Sequence, residues 1–149
     1  MVKHCHAAAE TKRAEGLPRI ALVGNPNCGK TTIYNLLTGT HQTVGNWPGV
    51  TVERRSGSAR LGDEKIEVID LPGIYSLLGG GGEDQAVARR FLRDEEVELI
   101  VQVLDASTLE RQLLLTAELV ELQRPLLLIL NMVDEAEDQI GRASCRERV

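Results

Sequence analysis

The stretch Gly24-Asn25-Pro26-Asn27-Cys28-Gly29-Lys30-Thr31-Thr32 places two glycines, a lysine and two threonines in an order suited to holding a polyphosphate. The spacing Gly24-x-x-x-x-Gly29-Lys30-Thr31 lets successive backbone N–H groups curl around an anion at the positive end of the helix that follows. Gly24 and Gly29 permit backbone angles and close approach that a side chain would block. Lys30 reaches the β- and γ-phosphates, and the Thr31 hydroxyl can ligate magnesium. A glycine-rich turn that happens to contain a lysine is the bland alternative. The flanks argue against it, because the run Arg19 to Val23 leads in as a strand and Ile33-Tyr34-Asn35-Leu36-Leu37 leads out as an amphipathic helix.

Two further groups complete a nucleotide site. Asp70-Leu71-Pro72-Gly73 ends a strand expected beside the phosphate loop, where Asp70 can hold magnesium through water and Gly73 can offer its N–H to a γ-phosphate. Such turns are common, so the position of this one carries the argument. Thr51 is the remaining magnesium ligand to consider, on a segment able to move when the γ-phosphate leaves; an ordinary strand threonine is the alternative. Asn131-Met132-Val133-Asp134 selects the base. A carboxylate at Asp134 accepts from both guanine N1–H and the 2-amino group, whereas adenine offers neither donor there. Met132 departs from the lysine that many guanine-nucleotide proteins carry at that position.

The elements that must position these groups follow from periodicity. A strand over 19–23, a helix over 30–38, a loop over 39–49, and strands over 50–53 and 65–69 joined by a turn at Gly62-Asp63 are predicted in turn. Gly79 to Gly82 then mark a mobile joint before a helix over 83–93. A strand over 98–104 precedes Ser107-x-x-Glu110, a capping box opening a helix with Leu109, Leu113, Ala117 and Val120 on one face. Leu126 to Leu130 reads as a continuous buried strand. Strands alternating with helices in this order predict an α/β fold, a doubly wound and mostly parallel sheet with every motif at the carboxyl ends of strands.

Composition limits the alternatives. The 149 residues leave room for one ordinary domain, and with aromatics at 3% its core must be aliphatic. A net charge of -5 argues against a backbone-gripping nucleic-acid binder. Cys5, Cys28 and Cys145 show no metal-type spacing and point to a reducing, cytoplasmic setting. No apolar stretch is long enough to span a bilayer. Residues 1–17 are expected to form a disordered leader, in which His4-Cys5-His6 lacks a fourth metal ligand. Residues 140–149, with three arginines against one glutamate, break the acidic trend and read as a non-native tail.

Taken together, Gly24 to Thr32, Val44-Gly45-Asn46-Trp47-Pro48-Gly49-Val50-Thr51-Val52-Glu53, Asp70-Leu71-Pro72-Gly73-Ile74-Tyr75-Ser76-Leu77 and Asn131 to Asp134 resemble the amino-terminal G domain of the ferrous-iron transporter B family, FeoB. Leu104 to Arg111 is similar to that family as well. The resemblance covers residues 18–139 as a G domain and implies a Ras-like P-loop GTPase fold lacking its last strand and closing helices. It implies GTP and GDP as ligands, contacted by Gly24, Asn25, Pro26, Asn27, Cys28, Gly29, Lys30, Thr31, Thr32, Gly49, Val50, Thr51, Asp70, Leu71, Pro72, Gly73, Asn131, Met132, Val133 and Asp134. Asn25, Lys30, Thr51 and Gly73 carry catalysis in this reading, with Mg2+ on Thr31, Thr51 and Asp70, and K+ on Asn25 as activator.

By the same resemblance the partner is a membrane transport domain that moves Fe2+. The chain would then sit in the cytoplasm, or on the cytoplasmic face of the inner membrane in the full-length protein, with no iron site and no nucleic acid of its own. Ile74 stands where Ras-like proteins have a water-orienting glutamine, which implies slow hydrolysis. Asn25 read from its residue type alone is a turn-stabilising Asx residue. Cys28, among N–H donors at a helix start, is either redox-active with a lowered pKa or simply a small packing residue. A ribosome- or tRNA-associated GTPase shares the phosphate loop and the guanine motif, and a small-molecule kinase shares only the former.

Overall fold

The computed structural model describes residues 16–79 and 81–137. The expected tail, the His4-Cys5-His6 stretch, Cys145 and all but the end of the expected leader lie outside those residues.

Ala21, Leu22 and Val23 are fully buried because β1 (Arg19–Gly24) runs through the middle of a six-stranded sheet. Beside it lie β4 (Glu64–Asp70) and β5 (Leu99–Asp105), both parallel to it, and β6 (Leu126–Asn131) pairs parallel with β5. On the other side β3 (Glu53–Leu61) and β2 (Gln42–Asn46) add antiparallel, giving the order β2-β3-β4-β1-β5-β6. The β3–β4 hairpin closes over Gly62-Asp63, with Gly62 at φ +61° where a side chain would be strained.

Helices cover both faces. α2 (Glu83–Asp94) and α3 (Leu113–Glu121) pack Val87, Phe91, Leu92, Leu115 and Leu119 against Ala21, Val23, Ile69 and Ile100. α1 (Lys30–Thr38) sets Tyr34 against Leu22, Val68 and Val101 on the opposite face. The four parallel strands therefore end along one edge, and the loops after β1, β4 and β6 meet there. No helix among the described residues is long and apolar enough to cross a membrane.

Four local expectations are corrected. The predicted loop over 39–49 contains β2, paired from Gln42↔Gly57 to Asn46↔Glu53; an edge strand that is mostly exposed on both faces carries no alternation to detect. Conversely, Val50 to Val52 precede β3 rather than opening it. Trp47-Pro48-Gly49-Val50 closes a tight turn, with the Val50 N–H donating to Trp47 O at 3.3 Å and Gly49 at φ +79°, so turn chemistry overrides the alternating pattern.

The helix after β5 is not opened by a Ser107–Glu110 capping box. Asp105 is the cap, accepting from the Ser107 N–H at 2.8 Å, Ser107 Oγ at 2.6 Å and Thr108 Oγ1 at 2.9 Å, and a 3-10 segment Ala106–Arg111 intervenes before α3. That offset rotates the face: Leu115, Glu118 and Leu119 are buried, whereas Leu113, Ala117 and Val120 are exposed. β6 is an edge strand with Leu127, Leu128 and Leu130 about half exposed, not a buried one.

Candidate functional site

The turn from β1 into α1 wraps back on itself through Asn27 at φ +65° and Gly29 at φ +86°. Gly24 has no room for a side chain, since a Cβ there would lie 2.7 Å from both Cys28 Sγ and the Val103 carbonyl oxygen. A Cβ on Gly29 would collide with the Asn131 amide. The two glycines are thus required by close approach as well as by conformation. The loop borders a cavity of about 540 Å³, lined by Asn25, Pro26, Asn27, Gly29, Lys30 and Thr31 together with Gly73, Asp84 and Met132.

Residues from distant parts of the chain close on this loop. Lys30 Nζ donates to Asp70 Oδ1 in an ion pair whose two residues are each more than nine-tenths buried. Gly73 packs against Pro26, where an added Cβ would stand 3.1 Å from the Pro26 backbone, and the Ile74 N–H donates to Gly24 O at 3.0 Å. From the end of β6, Asn131 Nδ2 donates to Cys28 O at 3.0 Å. The Asn-x-x-Asp motif and the glycine loop after β1 are therefore braced against each other. Met132, at φ +56°, turns the chain into a helical stretch over 133–137, on which Val133 and Asp134 are exposed.

Buried polarity marks two more residues. Asn25 is almost fully buried and its Oδ1 has no hydrogen-bond partner. Cys28 is buried too, and desolvation pushes its thiol above the ordinary range despite hydrogen bonding to the Lys30 N–H and the nearby Lys30 charge, which pull the other way. The lowered pKa that helix-start donors suggest is not realised, because burial outweighs them; the packing reading of Cys28 fits.

Not every predicted residue is brought to the cavity. Gly49, Val50 and Thr51 lie on the segment that docks on α2, where Trp47 meets Phe91 edge-on at 5.3 Å between centroids. Thr51 is exposed, and its Oγ1 donates to Glu83 Oε2 at 3.1 Å. Thr32 is exposed at the start of α1 outside the cavity lining, whereas Leu71 belongs to the core. Asp84 was missed: nothing in its type or spacing sets it apart, and only the fold of α2 after the glycine run carries it to the cavity.

A phosphate loop between β1 and α1, an Asp-x-x-Gly corner at the tip of the next strand inward and an Asn-x-x-Asp at the tip of β6, all on one edge of this sheet, make the fold that of a P-loop GTPase. Solved structures agree. The chain superposes on the cytosolic domain of L. pneumophila FeoB with a TM-score of 0.77 at 50% identity, covering 81% of this chain and 51% of that one. The G domain of the T. maritima FeoB iron transporter gives a TM-score of 0.77 at 41% identity, over 82% of this chain and 76% of that one. An S. thermophilus NFeoB mutant bound to GDP gives 0.77 at 47%, over 83% and 48%.

The chain belongs to the family described as Ferrous iron transport protein B, whose sequence model matches residues 18–145. It is 51% identical over 119 residues to the Fe(2+) transporter FeoB of Legionella pneumophila (strain Lens), and 47% identical over 123 residues to that of Escherichia coli (strain K12). These alignments cover 78% and 80% of this chain but only 16% of each relative, so the chain spans a small part of the length of the proteins it matches.

Proposed function

We propose that the chain binds GTP and GDP with magnesium and hydrolyses GTP slowly, as the cytosolic regulatory G domain of a ferrous-iron transport protein. The observation that carries this reading is the meeting of Lys30 and Asp70 beside a glycine-bordered cavity that Asn131 braces from the end of β6. In this reading the N–H groups of the loop from Asn25 to Thr32 and the Lys30 ammonium bind the phosphates. Asn131 holds the loop in shape, and Asp134 accepts from the guanine edge. Bound GDP in a structural relative supports the choice of nucleotide.

The donors present fit the two cations of this reading. Thr31 and Asp70 offer the oxygens a magnesium ion prefers, with Thr51 joining once its segment leaves α2. Asn25 Oδ1, buried without a partner, is an acceptor that potassium would satisfy. When bound, these cations offset charge developing on the phosphates. The chain's own contribution is positional. Gly73 presents an N–H toward the γ-phosphate, and Ile74 beside it, buried and apolar, cannot orient water, which keeps turnover slow. The membrane domain and Fe2+ passage belong to the rest of such a protein, and the family match favours this reading over a ribosome- or tRNA-associated GTPase.

Phosphate release from GTP tests the activity. The full chain should release phosphate with magnesium and none after chelation; a rate indistinguishable from buffer in both would reject hydrolysis.

A further inference from the structure

Glu118 is a carboxylate on α3, more than nine-tenths buried, with no cation in salt-bridge range among the described residues. Burying a carboxylate without a cation is costly, and a well-packed apolar side chain of similar size is often as stabilising or more so. Fold stability therefore gives no reason for a carboxylate there. Its hydrogen bonds do. Ser76 Oγ donates to Glu118 Oε1 at 2.7 Å and the Leu77 N–H donates to Glu118 Oε2 at 2.5 Å. Ser76 Oγ in turn accepts from the N–H groups of Leu78 at 3.1 Å and Gly79 at 3.3 Å.

Both bonds to the carboxylate come from the segment that leaves Gly73. That segment is fixed to the phosphate loop at its near end, through the Ile74 N–H to Gly24 O and the packing of Gly73 on Pro26. Its far end is fixed to α3 by Glu118. We propose that Glu118 is a positioning residue: by holding Ser76 and Leu77 it sets where the Gly73 N–H stands, and so how well the site tells GTP from GDP. The proposal rests on the GTP-binding reading above. Gly73 meets only the γ-phosphate in that reading, so loss of Glu118 weakens GTP and spares GDP. A general loosening of the domain would weaken both.

The test measures affinities of the full chain for fluorescent GDP and for a non-hydrolysable GTP analogue, in wild type, Glu118→Ala and Glu118→Gln. Glu118→Ala should weaken the analogue about tenfold, the scale of losing a hydrogen bond or two, with GDP within about twofold. Glu118→Gln should fall between wild type and Glu118→Ala, because its amide oxygen still accepts from the Leu77 N–H while its NH2 faces a Ser76 Oγ whose two acceptor positions the Leu78 and Gly79 N–H groups already fill. Equal losses for both nucleotides, or none, would overturn the proposal. Should Glu118→Ala fail to fold, Ser76→Ala asks the same question: weakening confined to the analogue supports the proposal, and an unchanged ratio overturns it. A wild-type chain that binds neither nucleotide overturns the GTP reading and this proposal together, whereas a wild type that binds both and is matched by Glu118→Ala overturns this proposal alone.

Discussion

Lys30 Nζ and Asp70 Oδ1 are ion-paired in a buried position, joining the start of α1 to the end of β4. The two groups assigned to phosphate and to magnesium thus neutralise each other, and nucleotide with magnesium would exchange one pairing for another without leaving either charge bare. Lys30→Met should abolish nucleotide binding and also destabilise the domain by about 3–5 kcal/mol, because Asp70 is left buried and unpaired. Adding Asp70→Asn should recover most of that stability and none of the binding. Urea unfolding of the two variants decides it: a double variant no more stable than Lys30→Met alone would show that the pair is not what the site depends on.

Asn25 gives a sharper test of the cation. Its buried, unpartnered Oδ1 predicts that KCl accelerates GTP hydrolysis over NaCl at equal ionic strength. Asn25→Ala should erase that difference while GDP affinity stays close to wild type. Rates indifferent to the cation in the unaltered chain would remove Asn25 from the catalytic residues.

The parts of this arrangement that were legible in sequence are those where residue type and spacing act locally. The phosphate loop, the Gly62-Asp63 hairpin and the helix starting at Lys30 each depend on neighbours in the chain, and each stands where periodicity and turn chemistry put it. What could not be read depends on pairing across the chain. β2 exists because β3 offers it an edge, and the buried face of α3 follows from a 3-10 segment that Asp105 organises. Leu126 to Leu130 looks like a core strand by composition, but its place at the edge of the sheet leaves its leucines half exposed. Likewise, nothing in the sequence says that Thr51 rests on Glu83 rather than beside Thr31.

Cys28 should behave as an inert thiol. Burial raises its pKa, so the thiol form persists through neutral pH, and its contribution to stability is present below the ordinary thiol pKa and lost as pH rises through the raised folded value. Iodoacetamide should leave Cys28 unmodified in the native chain near neutral pH and modify it in urea, as peptide mass spectrometry would show. Native labelling at the rate of a free thiol would contradict this.

Asp105 titrates in the opposite sense. Partial burial alone would raise its carboxyl, but hydrogen bonds from Ser107 and Thr108 outweigh that and hold it below the usual range. Its stabilising contribution is therefore present above the ordinary carboxylate pKa and lost as pH falls through the depressed folded value. Asp105→Ala should cost about 1 kcal/mol near neutrality, typical of a lost helix cap, and less in acid. A penalty that does not shrink in acid would show that packing, not the charged cap, is what the residue supplies.

Competition for a fluorescent GDP in the presence of magnesium measures whether this cavity takes a guanine nucleotide. Asp134 is exposed on the helical stretch that follows Asn131, and in the proposed reading it accepts two donors from guanine and none from adenine. Unlabelled GDP and GTP should displace the probe, with ATP at least about a hundredfold weaker, since two hydrogen bonds to a carboxylate are worth on the order of 3 kcal/mol. Asp134→Asn should close that gap. Displacement by ATP at the same concentrations as GDP, in the unaltered chain, would contradict the account.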